Sequence, residues 1–147
     1  MKYLLDTNIL SELVRPRPNS NVLARFHQDW RSCLTAAVVE YEIRYGIARN
    51  PNPSRRHVLV TAYDRLIGPH GITILPYDTD AARWHAQERA RLETLGQPRP
   101  LADGQIAAIA VTRGLILVTR NTADFFGYSG LRIENWFSSD HPTRIPA

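Results

Sequence analysis

Five short apolar runs punctuate this chain, and the stretches between them repeat their apolar residues at helical spacing. That alternation restricts the fold more than any other feature. The runs are residues 2–5, 32–35, 72–75, 115–118 and 131–134. Leu115-Ile116-Leu117-Val118 is the most apolar and belongs mid-sheet, where both faces are covered. A first helix is expected from near Asn8, capped by Asp6 or Thr7 and closed by Pro16 and Pro18. Helices follow over 19–28 and 37–48, the latter stopped by Asn50-Pro51-Asn52-Pro53. Another starts from a Ser54 cap and carries Val58, Leu59, Ala62, Tyr63 and Leu66. A long one covers 79–95, with Ala81, Trp84, Leu92 and Leu95 inward. A helix opening at Asp103 is apolar nearly all round, so it reads as buried, and Gly114 ends it. A short helix over 123–126 precedes the last run. Strands alternating with helices of this length imply a parallel sheet covered on both faces. Right-handed crossovers then give an α/β fold: a three-layer α/β/α sandwich around a mainly parallel sheet of about five strands. Ligands in such folds bind beyond the carboxyl ends of the strands.

At 147 residues and 44% hydrophobic, the chain is expected to form a single domain over 1–147 with its own core. Cys33 is the only cysteine, which excludes an intrachain disulfide and a cysteine-based zinc site. The N-terminal residues meet Asp6 too early for a signal peptide, and no apolar run nears the roughly 18–20 residues of a membrane span. The expectation is a soluble, cytoplasmic protein with no membrane partner. The formal charge is +4, and Lys2 is the single lysine among 18 basic residues. An arginine excess suits phosphate recognition, and it equally suits GC-rich codon usage with solvated helix faces.

Four acidic residues fall where the fold would gather a site. Asp6 ends the first strand, Glu42 lies about a turn into the helix after the second, Asp103 opens the buried helix, and Asp124 follows the fourth strand. Each also has a plain structural reading. Asp6 and Asp103 could be helix caps, Asp124 could cap a short turn, and Glu42, with Glu40 beside it, could be a solvated face residue. If they converge, mutual repulsion raises their pKa values, and a hard divalent cation relieves that repulsion. Such an ion also eases deprotonation of water and neutralises phosphoryl oxygens.

The segments that carry these residues are Leu4-Leu5-Asp6-Thr7-Asn8-Ile9-Leu10-Ser11-Glu12, Glu42-Ile43-Arg44-Tyr45-Gly46-Ile47-Ala48, Asp103-Gly104-Gln105-Ile106-Ala107-Ala108-Ile109-Ala110 and Val118-Thr119-Arg120-Asn121-Thr122-Ala123-Asp124-Phe125. In this order they resemble the four motifs of PIN-domain ribonucleases. They are similar in particular to the VapC toxins of type II toxin–antitoxin pairs, including the FitB-like branch. The resemblance covers essentially the whole chain, down to Asn135-Trp136. It implies an Mg²⁺- or Mn²⁺-dependent endoribonuclease acting on structured RNA such as tRNA or rRNA. It also implies a homodimer, and a VapB-like antitoxin able to push an Arg or Lys into the acidic pocket. By motif position Asp6, Glu42, Asp103 and Asp124 would be catalytic, with Asp6, Asp103 and Asp124 the main metal ligands. Glu42 would complete the shell or hold a water. Asn8 and Thr119 would orient carboxylates or water. Many PIN domains carry Asp where this chain has Asn121, which can ligate only through a neutral amide oxygen. Arg15, Arg17, Arg44 and Arg120 lie near the motif segments and are the candidate phosphate contacts.

Other functions fit less well. The chain lacks G-x-S-x-G, a P-loop, G-x-G-x-x-G and H-E-x-x-H. A dehalogenase-type phosphatase would want Asp-x-Asp, whereas the first strand leads into Asp6-Thr7-Asn8. A metal-dependent DNA nuclease and a catalytically weak partner-binding module remain as alternatives. Cys33 reads as core, and Glu88 as the partner of an arginine. Tyr41, Tyr45 and Tyr63 read as core packing or as an antitoxin or dimer surface.

Overall fold

The sheet has five strands in the order β3-β2-β1-β4-β5, every neighbouring pair parallel. The computed structural model describes residues 2–138, so the expected domain limit at residue 147 lies outside the described residues. The strands are β1 (Tyr3–Leu5), β2 (Cys33–Ala36), β3 (Thr73–Leu75), β4 (Ile116–Val118) and β5 (Arg132–Glu134). The helices are α1 (Thr7–Leu13), α2 (Ser20–Asp29), α3 (Ala37–Ala48), α4 (Pro53–Leu66), α5 (Thr79–Thr94), α6 (Leu101–Thr112) and α7 (Thr122–Phe125). They flank the sheet in the three-layer arrangement that the alternation of patterns implies.

The chain lays β2 and β3 to one side of β1, then crosses to lay β4 and β5 on the other. The strand order therefore reverses between β1 and β4. A crevice opens at such a switch point because the connections leave in opposite directions. Asp6 continues from β1 there and donates its N–H to Val118 O of β4 at 3.0 Å. Thr119, the residue after β4, donates its N–H to Glu134 O at 3.0 Å.

The central strands are closed to solvent on both faces: Leu4, Leu5, Leu117 and Val118 are fully buried. Ile106, Ala107, Ala108, Ile109 and Ala110 of α6 are buried all round, as their uninterrupted apolar run requires. Helix α5 approaches α6 closely because position 104 has no side chain. A Cβ on Gly104 would run into the buried His85 ring, whose Nδ1 bonds the Tyr77 hydroxyl at 2.9 Å. Among the described residues no helix is long and apolar enough to cross a membrane.

Some local expectations need correction. Helix α6 begins at Leu101, with Pro100 in the capping position, so Asp103 sits in its first turn and does not cap it. Helix α4 is capped by Asn52, whose side chain accepts the Arg55 N–H, and Pro53 supplies the first turn, which places Ser54 inside. Leu95 is 57% exposed because α5 ends at Thr94 and the chain turns away at Gly96. Ser32 belongs to a 3₁₀ turn, and β2 starts at Cys33. Cys33 and Tyr63 are core residues, whereas Tyr41 and Tyr45 stack on each other in solvent at 6.0 Å between ring centres.

Candidate active site

The crevice is organised around Asp6. Its backbone is extended, which ends β1 and lets its side chain cap α1. Oδ1 accepts the Thr7 N–H at 2.8 Å, and Oδ2 accepts the Thr119 hydroxyl at 2.8 Å and the Asn8 amide at 3.2 Å. Asp6 is thus the cap of α1, with its second oxygen turned to Thr119 and Asn8. Thr119 is fully buried, and its Oγ also accepts from Asn8 Nδ2 at 3.2 Å and from the Asn121 N–H at 3.1 Å. One donor and two lone pairs are all a hydroxyl has, so its orientation is fully determined. Asn8 Oδ1 in turn accepts the Arg120 N–H at 2.9 Å, which ties the loop after β4 to α1. Asn8 and Thr119 both donate to Asp6 Oδ2 and so hold its carboxylate in one orientation.

Three further carboxylates face this centre. Glu42, on α3, accepts the Thr7 hydroxyl at 3.2 Å. Asp103 is partly buried in the first turn of α6, and Asp124 is exposed on α7. Their convergence is electrostatic. Burial pushes Asp6 up, against its hydrogen bonds, and the Asp124 charge adds to the rise. Burial pushes Glu42 up as well, with the Asp6 charge behind it. Asp103 is raised to about 6, by burial first and then by the charges of Asp6, Asp124 and Glu42.

Elsewhere among the described residues most carboxylates are paired. Glu12, Asp29, Glu40, Asp64, Asp78, Glu88, Glu93 and Glu134 each meet an arginine. Among the described residues five acidic side chains make no ion pair: Asp6, Glu42, Asp80, Asp103 and Asp124. Four of these five are the carboxylates of the crevice. Acids without an ion-pair partner, three of them raised partly by neighbouring carboxylate charge, match a hard cation in chemistry, since Mg²⁺ and Mn²⁺ take oxygen ligands and cancel the repulsion. Among the described residues no three His, Cys, Asp or Glu side chains already stand close enough to enclose an ion.

The structure adds residues that motif reading missed. Thr7 bridges Asp6 and Glu42 through its backbone and its hydroxyl. Arg99 donates to the carbonyls of Ala123 and Asp124, at 3.4 and 3.0 Å, and to that of Phe126, so it pins α7. Its charge also draws Asp103 down, against the larger upward effects. The Asn121 side chain makes no capping bond to α7. The candidate phosphate arginines divide. Arg15 and Arg120 line one cavity beside Asn8. Arg17 is exposed beyond α1. Arg44 is not brought to the crevice as a free cation, because its guanidinium is bound to Glu40 and to Asp64 of α4, both at 2.8 Å.

Comparison with known proteins identifies the family. The family model described as "PIN domain" matches residues 3–128. The chain is 35% identical over 136 residues to the tRNA(fMet)-specific endonuclease VapC of Shigella flexneri, covering 92% of this chain and 98% of that protein. It is 37% identical over 130 residues to toxin FitB of Neisseria gonorrhoeae, covering 84% and 90%. The crystal structure of DNA-bound VapBC from Salmonella typhimurium superposes with a TM-score of 0.79 at 31% identity, covering 92% of this chain and 98% of that one. With the PIN model matched over residues 3–128 and relatives of the VapC and FitB kind along most of its length, this chain belongs to the PIN-domain family.

Proposed function

We propose that this chain is the ribonuclease toxin of a type II toxin–antitoxin module, a metal-dependent endoribonuclease that hydrolyses phosphodiester bonds in structured RNA of the tRNA or rRNA class. One observation carries the reading: four carboxylates without an ion-pair partner among the described residues lie around one crevice at the carboxyl ends of β1 and β4, and the charges of Asp6, Glu42 and Asp124 raise the proton affinity of Asp103. The VapC name of the Shigella flexneri relative supports the RNA substrate, and the VapBC complex from Salmonella typhimurium supports a VapB-like antitoxin partner. The working unit is a homodimer of single-domain chains in the cytoplasm.

Asp6, Asp103 and Asp124 would hold Mg²⁺ or Mn²⁺, with Glu42 completing the set. When bound, such an ion supplies Lewis-acid polarisation of phosphoryl oxygens and lowers the pKa of water. The chain's own residues do the positioning. Thr119, Asn8 and the Thr7 N–H hold Asp6 in one orientation, and the Thr7 hydroxyl holds Glu42 toward it. Asp103, raised to about 6 without a cation, would give up its proton when a metal ion binds. Arg99 fixes the segment that carries Asp124.

Purified protein incubated with total cellular RNA tests the proposal, with cleavage mapped by sequencing. Cleavage with Mg²⁺ or Mn²⁺ that is lost in EDTA and in Asp6→Asn is the expected result. Activity that survives either change, or that falls on DNA or phosphomonoesters in place of RNA, would overturn it.

A further inference from the structure

A cavity of about 370 Å³ opens beside the carboxylate crevice. Asn8 and Arg15 line it from α1 and the residues just past it, Arg55 and Leu59 from α4, and Arg120 and Phe137 from the segments after β4 and β5. Its wall is continuous with the site: Arg120 donates to Asn8 at 2.9 Å, and Asn8 donates to Asp6 at 3.2 Å. We infer that this cavity is a one-nucleotide subsite, which seats a phosphate of the RNA strand and its unstacked base next to the carboxylates. The inference rests on the nuclease reading above and adds where the strand lies.

Charge selects an anion. Three guanidinium groups face one carboxylate, that of Glu12, whose oxygens already accept the Asn19 N–H at 2.8 Å and Arg15 at 3.2 Å. Arg15 is an exposed member of that pair, so part of its fork remains for a second anion. Arg55 and Arg120 make no ion pair among the described residues. Shape and polarity select a base. The Arg120 guanidinium lies over the Phe137 ring, 4.4 Å from its centre, and an arginine on an aromatic ring is a flat, weakly hydrated surface on which bases stack. The volume is at the small end of the roughly 300–1,000 Å³ of small-molecule sites, enough for one nucleotide and too little for a duplex. The base must therefore come from a single-stranded stretch. An acidic peptide would satisfy the cations, but it would leave the stacking surface without a purpose.

The test uses the full chain on the Asp6→Asn background, which keeps RNA intact, and follows a short fluorescent single-stranded RNA of randomised sequence by anisotropy. Arg55→Ala should weaken binding across all sequences and lower the salt slope by about one. Phe137→Ala should weaken it about ten-fold or more with the slope unchanged, and Phe137→Tyr should restore it. On an abasic oligomer the Phe137→Ala effect should vanish while the Arg55→Ala effect stays. If Phe137→Ala fails to fold, Arg55→Ala and Arg55→Glu, both at an exposed position, decide through the salt slope. Unchanged affinity and slope in these variants, in a protein whose wild type cleaves RNA, would overturn the subsite alone. So would variants that lose only the binding of an antitoxin peptide. A wild type that cleaves no RNA with metal would remove the nuclease reading and the subsite together.

Discussion

Replacing Asp103 by asparagine should stabilise the metal-free protein at neutral pH while it abolishes cleavage. Asp103 holds its proton to about 6, against an ordinary value of 3.8. A folded pKa above the unfolded one means that the folded state binds the proton more tightly. Stability from this group is therefore present at low pH and is lost as pH rises from about 4 to about 6. At about 1.4 kcal/mol per pKa unit the full gap corresponds to at most about 3 kcal/mol. The group is half exposed, so solvent screening reduces this to about 1–2 kcal/mol. Its first-turn position on α6 opposes the effect, because the helix N-terminus favours a carboxylate by about 0.3–1 kcal/mol. The net expectation for Asp103→Asn is a gain of about 1 kcal/mol at pH 7–8, which is about 2–4 °C in Tm for a domain near 150 residues. At pH 4 the gain should disappear, since the wild-type carboxyl is then protonated. Thermal melts in EDTA at both pH values measure the difference, and added Mg²⁺ should reverse the order by stabilising only the wild type. A variant less stable than wild type at pH 8, or one shifted equally at both pH values, would refute the claim that burial together with the neighbouring carboxylates raises Asp103.

Thr119→Val should cost about 1–3 kcal/mol in urea unfolding, because it removes a buried charge-assisted bond to Asp6 and strands the Asn121 N–H; Thr119→Ser should behave as wild type. Gly104→Ala should cost about 1–3 kcal/mol by driving a methyl group into His85, and calorimetry would register it as a lower Tm. Arg99→Ala should release α7 and lower cleavage while the core stays intact, visible as faster amide exchange confined to 122–126.

Much of the fold was legible because its signals are local. An apolar run too short for a helix reads as a buried strand, and the all-round apolar pattern of α6 could only belong to a buried helix. The boundaries slipped where proline geometry competes with capping chemistry, as at Pro53 and Pro100. Residue chemistry made the site legible as four separate acids, each with a plain alternative, and their order within four motifs added the family resemblance. What escaped were contacts between distant segments. Thr7 meets Glu42 because β2 lies beside β1, and no spacing along the chain expresses that. Arg44 sits inside a motif segment yet is held by Asp64, a residue of the next helix. Arg55 drew no notice because its neighbours in sequence carry no motif, although it faces the same cavity as Arg120.

The sequence by itself determined the parallel α/β architecture, the buried place of α6 and the identity of the acids, since periodicity and residue chemistry are properties of contiguous residues. Tertiary structure alone decided which of those acids share a field and which are neutralised. Among the described residues eight carboxylates meet an arginine and four in the crevice do not, a division the net charge of +4 averages away. The reason is physical: Coulomb interaction and desolvation depend on distance and burial, and both are set when the strand order reverses between β1 and β4.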